Sequence, residues 1–228
     1  MKERGIIFNA EMVHAILDGR KTQTRRIVKN VMPDNGIWLK KPTKTRSGTT
    51  THVLDAPKYN LCPLGKAGDH LWVRETWSVV SHEFDDDGLM IDYFPDRQTK
   101  AVHEMPYGHG YYTGHVIYSA DGDFTWGDDD GCIDGRSCWK PSIHMPKKLA
   151  RIWLEITDIR VERLNCISQS DAIAEGAPLS HPTIDAISRE CGFPDFSRSW
   201  FGQTWWHIYG KKNWQDNPWV WVIEFKRI

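Results

Sequence analysis

The chain has 228 residues, 40% of them hydrophobic and 12% aromatic, and its formal net charge is −1 at pH 7. This length can bury a substantial core, and the composition is not that of a disordered protein. No stretch approaches the ~18 apolar residues of a membrane span, and five irregularly spaced cysteines argue against a secreted disulfide framework. We therefore expect a cytoplasmic protein with reduced thiols, without a cofactor or a membrane partner.

The charged residues are unevenly distributed along the chain. Residues 1–60 contain twelve Lys and Arg against five Asp and Glu, whereas residues 81–134 contain thirteen acids against Arg97 and Lys100. A basic surface on a neutral protein is typical of polyanion binding. The structural alternative is two solvated surfaces that differ in sign.

The first predicted elements are a short helix and a strand. In NAEMVHAILDG, Asn9 is a suitable N-cap, apolar residues recur on one face, and Gly19 suits the C-terminal stop. The following KTQTRRIV alternates as a strand. This alternation predicts that Thr24 and Arg26 point to the same side.

Further along, AGDHLWVRETWSV predicts one strand, with Glu75 and Trp77 on one face and Trp72 on the other. ARIWLEITDIRVERL predicts another strand. SQSDAIAEG predicts a helix capped by Ser168, which places Glu175 in its last turn. An aromatic helix is expected over FSRSWFGQTWWHIYG, and a strand over NPWVWVIEFKRI.

Short strands combined with two or three helices indicate an α+β fold, and the pattern fits a small β-barrel with flanking helices. Residues 29–66 and about 78–140 show little periodicity. They are predicted to be two large loop insertions in a single domain that covers residues 1–228.

The run GRKTQTRR resembles the Gly-x-Lys-x-x-(Glu/Thr)-x-Arg motif of ASCH domains, a branch of the PUA-like β-barrels associated with RNA. The match falls on Gly19, Lys21, Thr24 and Arg26. AGDHLWVRETW, the segment ending in SQSDAIAEG and the closing WVWVIEFK are similar to other parts of that family. About half of the chain is covered, and the size and Trp content are closer to larger phage or prophage members.

Within the family, the run is most similar to that of the small bacterial N(4)-acetylcytidine amidohydrolases. This resemblance implies hydrolysis of an amide on a modified nucleoside, with Lys21, Thr24 and Glu175 as the catalytic residues. The residues expected to bind the substrate are Gly19, Arg25, Arg26, Glu75, Trp72 and Trp77. The implied partner is a modified nucleoside or a nucleic acid, RNA rather than DNA.

The residue types are suited to this chemistry. A Thr hydroxyl attacks an amide only if a base takes its proton, and Lys21 is such a base if burial or the cations Arg25 and Arg26 lower its pKa. Glu175 is then expected to orient Lys21 or to carry the proton to the leaving amine. The structural alternative is a solvated cationic cluster that complements a helix C-terminus.

Other candidate residues have structural alternatives as well. Glu75 lies on an apolar face and needs a cationic partner, for which Arg74, Lys21 and Arg26 are candidates. Most of the twelve Trp residues are expected in the core, with one or two available for stacking on a base.

The spacing of Cys132, Cys138 and His144 is a weak match to a zinc site, so no metal is expected.

Three functions are compatible with the sequence: an amidohydrolase, a nucleic-acid-binding module without turnover, and an ASCH-type ribonuclease. The oligomeric state stays open.

Overall fold

A computed structural model describes residues 1–39, 48–122, 124, 138–178 and 182–228. The strands in these ranges are β1 (Glu3–Ile7), β2 (Gln23–Ile27), β3 (Gly36–Trp38), β4 (Thr50–His52), β5 (His70–Arg74), β6 (Trp77–Val80), β7 (His82–Phe84), β8 (Met90–Asp92), β9 (Ala101–Tyr107), β10 (Gly110–Tyr118), β11 (Trp153–Arg163) and β12 (Trp219–Arg227). The α-helices are α1 (Ala10–Leu17), α2 (Gln169–Ala174), α3 (Pro182–Glu190), α4 (Phe196–Tyr209) and α5 (Lys211–Gln215).

The largest sheet has five strands in the order β1-β5-β11-β12-β2. Strand β12 lies antiparallel to both β11 and β2, and its pairing with β2 places Val222 opposite Arg25 and Ile223 opposite Thr24. The predicted α+β class is confirmed. The closed barrel is not seen in the described ranges, because this sheet ends at β1 and β2 and none of the other sheets closes.

Smaller sheets follow the orders β6-β10-β9, β3-β4 and β7-β8. The prediction that residues 78–140 form a loop is therefore wrong where β9 and β10 pair as a long hairpin. In β9, Met105 is the only buried residue. A strand that is exposed on both faces lacks the apolar alternation by which half-buried strands are recognised.

The segment AGDHLWVRETWSV forms two strands rather than the single strand predicted. Strand β5 ends at Arg74 in the five-stranded sheet, and β6 begins at Trp77 in the three-stranded sheet. Both strands keep a period of two, so the alternation of side chains does not reveal the change of sheet.

The described chain forms two compact units. The first comprises Met1–Arg4, His14–Leu71 and Ile152–Ile228, and the second comprises Gly5–Val13 and Trp72–Arg151. The organisation as one domain with insertions stays a prediction.

The core of the first unit lies where α2 and α4 cover one face of β12. Phe201 and Trp205 of α4 pack with Val220 and Val222, which alternate on the same face of the strand. Helix α4, the longest described, has fourteen residues.

Among the described residues, no helix combines the length and apolar character needed to cross a membrane.

Candidate functional site

The turn from α1 into β2 forms as its sequence predicts. Asn9 Oδ1 accepts a hydrogen bond from the Met12 amide at 2.9 Å, so Asn9 caps the start of α1. Gly19 adopts φ +75°, a left-handed conformation that glycine takes without a steric penalty. The Lys21 amide then donates to the Ala15 carbonyl at 2.8 Å, which folds the chain back against α1.

Helix α2 brings Glu175 to the start of β2. Ser168 caps the helix by accepting from the Asp171 amide at 3.0 Å, and Glu175 occupies the C-cap. The Thr22 amide donates to the Ala174 carbonyl at 2.8 Å. This backbone bond joins two segments distant in sequence and places Glu175 beside Lys21.

Lys21 and Glu175 form an ion pair that is closed to solvent. Lys21 Nζ lies 2.7 Å from Glu175 Oε2, and the two side chains are 0% and 4% exposed. Lys21 Nζ also donates to the backbone carbonyls of Glu175 at 2.7 Å and of Gln23 at 2.9 Å. Burial lowers the pKa of the Lys21 ammonium, and the Glu175 carboxylate opposes this shift only in part.

Arg25 holds the other oxygen of the Glu175 carboxylate. Its Nη1 lies 3.2 Å from Glu175 Oε1 and also donates to the Gln23 side chain. Its Nη2 pairs with Glu162 and lies 3.4 Å from Asp171 Oδ2. We call Lys21, Gln23, Arg25, Glu162, Asp171 and Glu175 the buried ion cluster.

Arg160 closes the outer side of this cluster. It lies 3.0 Å from Asp171 Oδ1 and also pairs with Glu224. Burial acts to raise the pKa of Asp171, but hydrogen bonds from Gln23 and Ser168 and the nearby arginines outweigh it and hold that pKa below its ordinary value. Asp171 is therefore held as a carboxylate at neutral pH.

An open pocket of about 470 Å³ lies beside the buried ion cluster. Its lining residues are Thr22, Gln23, Thr157, Ser170, Asp171, Ala174, Glu224, Phe225 and Lys226. Gln23 and Asp171 are therefore shared between the cluster and the pocket. Lys21 and Glu175 do not line the pocket, but each adjoins in sequence a residue that does, Thr22 and Ala174 respectively.

Thr24 and Arg26 share one face of β2, as predicted. Because side chains alternate along a strand, Gln23 and Arg25 lie on the other face. Arg26 Nη1 lies 3.1 Å from Thr24 Oγ1, which confirms that their side chains point the same way. The opposite face carries Arg25, whose side chain reaches Glu175. The structure thus brings Lys21 and Glu175 together and directs Thr24 away from them.

Arg25 was expected to contact the substrate, and the structure corrects this expectation. Its side chain is 0% exposed, and its guanidinium lies 5.6 Å from the centre of the Phe201 ring. It is therefore part of the buried ion cluster and not of a binding surface.

Glu75 belongs to a separate ion group in the second compact unit. Arg151 donates to Glu75 Oε1 at 3.0 Å and to its Oε2 at 2.7 Å, and it pairs with Asp121 at 2.7 Å. The structure gives Glu75 the partner Arg151, a residue that the sequence did not suggest. With its side chain 1% exposed, Glu75 serves this ion group and not an open binding surface.

Trp72 and Trp77 are core residues. Trp77 is fully buried and packs edge-on against Tyr107, with ring centres 5.1 Å apart. Trp72 is 6% exposed, and the Arg74 guanidinium lies 4.5 Å from its ring centre. Neither ring is placed as a stacking platform, so the expectation that they bind a base is corrected.

The weak zinc candidate is only partly covered, because Cys132 lies outside the described residues. Cys138 is exposed. Within the ranges that the structure describes, no group of three or more His, Cys, Asp or Glu is arranged to hold a metal ion.

Four functional candidates were missed in the sequence: Gln23, Arg160, Glu162 and Asp171. For Gln23 and Asp171, the sequence contains a signal that could have identified them. Gln23 and Arg25 alternate with Thr24 on β2, and Asp171 precedes Glu175 by one helical turn, so each pair shares a face.

Comparisons with known protein families, with curated proteins and with solved structures found no match.

Proposed function

We propose that this chain is an amidohydrolase that acts on N(4)-acetylcytidine or a related modified nucleoside, with Lys21 and Glu175 as its proton-transfer pair. One observation carries the proposal. Lys21 Nζ lies 2.7 Å from Glu175 Oε2, although the residues are 154 positions apart in sequence. These are two of the three residues that the ASCH resemblance assigns to catalysis. In this proposal the five-stranded sheet with α1 and α2 is an open relative of the PUA-like barrel.

The buried environment of the pair supports a role in proton transfer. A lysine whose pKa is lowered by burial holds its proton less firmly and can accept one from a nucleophile. Glu175 is a second acceptor within hydrogen-bonding distance. Together the two groups can take a proton and return it to the leaving amine.

The position of Thr24 favours water over this hydroxyl as the nucleophile. Thr24 lies on the opposite face of β2 and is bonded by Arg26 at 3.1 Å. Water attacks the acetyl carbonyl carbon and gives its proton to the Lys21–Glu175 pair. The C–N bond then breaks, the exocyclic N4 of the cytosine takes that proton, and the acetic acid formed loses its remaining proton to solvent, so that acetate and cytidine are released.

The open pocket is the proposed route to the pair. Its acceptors Asp171 and Glu224 suit a ligand that offers N–H donors. Thr22 and Ala174 line this pocket, whereas Lys21 and Glu175 do not, so the reaction requires the 2.8 Å bond between Thr22 and Ala174 to open.

The test is incubation of the purified protein with N(4)-acetylcytidine and, separately, with a short unmodified RNA, both followed by mass spectrometry. Release of acetate that is lost in Lys21→Met and in Glu175→Gln supports the amidohydrolase. Cleavage of the RNA with intact nucleoside favours the ribonuclease instead.

A binding module without turnover is the second candidate. The observation that favours it is that Lys21 and Glu175 are buried and hydrogen-bonded to each other, as in a purely structural ion pair. This alternative predicts salt-dependent binding of RNA with no product from either substrate.

A further inference from the structure

A small hairpin of the second compact unit has a hydrogen-bonded turn. Strands β7 and β8 pair Phe84 with Met90 and Glu83 with Ile91. In the turn, Asp85 Oδ1 accepts from the Leu89 amide at 2.8 Å, and the Asp85 amide donates to the Leu89 carbonyl at 3.0 Å. These bonds hold the backbone of the turn between Asp85 and Leu89.

Apolar side chains of this hairpin are exposed to solvent. Leu89 is 65% exposed and Phe94 is 77% exposed, while Phe84, Met90 and Ile91 are also exposed. Phe84 and Met90 share one face, and Ile91 lies on the other. Several exposed apolar side chains on one short segment are typical of a surface that contacts another molecule.

The same segment is strongly acidic. Residues 82–96 contain six Asp and Glu and no Lys or Arg. Asp86, Asp87, Asp92 and Asp96 are exposed. Such a surface repels the phosphates of nucleic acids and anionic lipids, and it attracts cationic groups.

The sheet of this hairpin also has open edges. It consists of β7 and β8, and in the described part of the chain neither strand pairs with a third. An unpaired strand edge offers N–H and C=O groups to an extended segment of another protein.

We propose that residues 82–96, the acidic hairpin, bind a protein segment in which apolar side chains alternate with Lys or Arg. Apolar side chains of that partner cover Leu89 and Phe94, and its cations pair with Asp86 and Asp87. Charge complementarity selects this partner over a nucleic acid or a membrane. This proposed binding of a protein segment does not depend on the site at Lys21.

The experiment measures binding of a fluorescent peptide of alternating lysine and leucine by anisotropy, at two salt concentrations. We expect Leu89→Ser with Phe94→Ser to weaken binding about tenfold or more, because the apolar contact is lost. We expect Asp86→Asn with Asp87→Asn to weaken binding and to reduce its dependence on salt. Tyr111→Ser removes an exposed aromatic residue outside residues 82–96 and should leave binding unchanged.

Three results would overturn the proposal. A control peptide of alternating lysine and serine binds equally well, which would leave only nonspecific charge attraction. The Leu89 and Phe94 substitutions leave binding unchanged. Alternatively, RNA or vesicles of phosphatidylglycerol bind the protein, and these same substitutions abolish that binding. Circular dichroism of each variant confirms that the fold is retained.

Discussion

Arg25 Nη1 lies 3.2 Å from Oε1 of Glu175, and both side chains are withdrawn from solvent. Lys21 Nζ donates to the other carboxylate oxygen, Oε2, so Glu175 is held from two sides. A guanidinium can reach several carboxylates at once because its donors form a rigid planar fork. Arg25 is therefore best understood as the residue that positions Glu175.

We expect Arg25→Lys to lower kcat for deacetylation about tenfold or more, although the charge is kept, because one ammonium cannot hold Glu162, Asp171 and Glu175 together. KM should change little, since Arg25 does not line the pocket. The matched variant is Arg160→Lys, whose side chain is 33% exposed and pairs with Glu162, Asp171 and Glu224 at the outer side of the cluster. Equal losses of kcat in the two variants would contradict a positioning role for Arg25.

The ion pair of Lys21 and Glu175 should show strong coupling in stability. We expect Lys21→Met and Glu175→Gln each to lower the free energy of unfolding by about 3–5 kcal/mol, because each leaves a buried charge incompletely paired. The double variant should lose clearly less than the sum. Urea unfolding of the four proteins measures this coupling.

The exposed pair of Lys58 and Asp55 provides the control for this cycle. Its N–O distance is also 2.7 Å, but the side chains are 77% and 42% exposed. The same cycle with Lys58→Met and Asp55→Asn should show no measurable coupling. Additive losses at Lys21 and Glu175 would show that their contact does not carry the stability of the cluster.

Thr24 provides the test of the nucleophile. We expect Thr24→Val to keep deacetylation within about tenfold of the wild-type kcat, because Thr24 lies on the face of β2 opposite Lys21 and water performs the attack. Lys21→Met should lose about 10²–10⁴ in kcat. Intact mass spectrometry of the protein during turnover should show no acetylated Thr24. An inactive Thr24→Val beside an active Thr24→Ser would restore the hydroxyl as the nucleophile.

Local signals in the sequence were sufficient for the elements around the site. Asn9, Gly19 and Ser168 each make the backbone arrangement that their residue type favours at a helix end, and these contacts are local. Strand alternation also gave the shared side of Thr24 and Arg26. The meeting of Lys21 with Glu175 rested on the family resemblance, because no local rule relates residues that far apart.

The features that the sequence did not predict depend on contacts between distant segments of the chain. Glu75 needed a cation, but nothing near it in sequence identifies Arg151, which lies 76 positions away. Strand β9 was missed because it is exposed on both faces, and β10 because its buried residues Val116, Ile117 and Tyr118 are consecutive and do not alternate. The missed roles of Glu162 and Arg160 follow from the sheet register, which fixes neighbours only after the chain is folded.

Burial of Lys21 should make stability depend on pH in the alkaline range. Burial lowers the pKa of Lys21 below its ordinary value of 10.5, so between the folded-state pKa and 10.5 the unfolded chain binds more protons. The free energy of unfolding contributed by this residue therefore rises with pH across that window. We expect wild type to gain stability relative to Lys21→Met as the pH increases toward 10.5. Urea unfolding at several pH values measures the difference, and parallel curves for the two proteins would contradict it.

Gly176 is the point where the end of α2 packs against Lys21. Its φ is +104°, and a Cβ at this position would lie 3.0 Å from Ala15 Cβ and 3.4 Å from Lys21 Cβ. Gly192 also has a positive φ, of +87°, but a Cβ there would meet no atom within 4 Å. Comparison of the two glycines therefore separates backbone strain from crowding.

We expect Gly192→Ala to lower the free energy of unfolding by about 1–2 kcal/mol through backbone strain alone. Gly176→Ala should cost about 1–3 kcal/mol more, because the added methyl group displaces Ala15 and Lys21. If Lys21 moves, its 2.7 Å contact with Glu175 lengthens, so deacetylation should fall in Gly176→Ala and stay unchanged in Gly192→Ala. Urea unfolding and the acetate-release assay on both variants test this, and equal behaviour in the two assays would mean that the position of Lys21 does not depend on the close packing at Gly176.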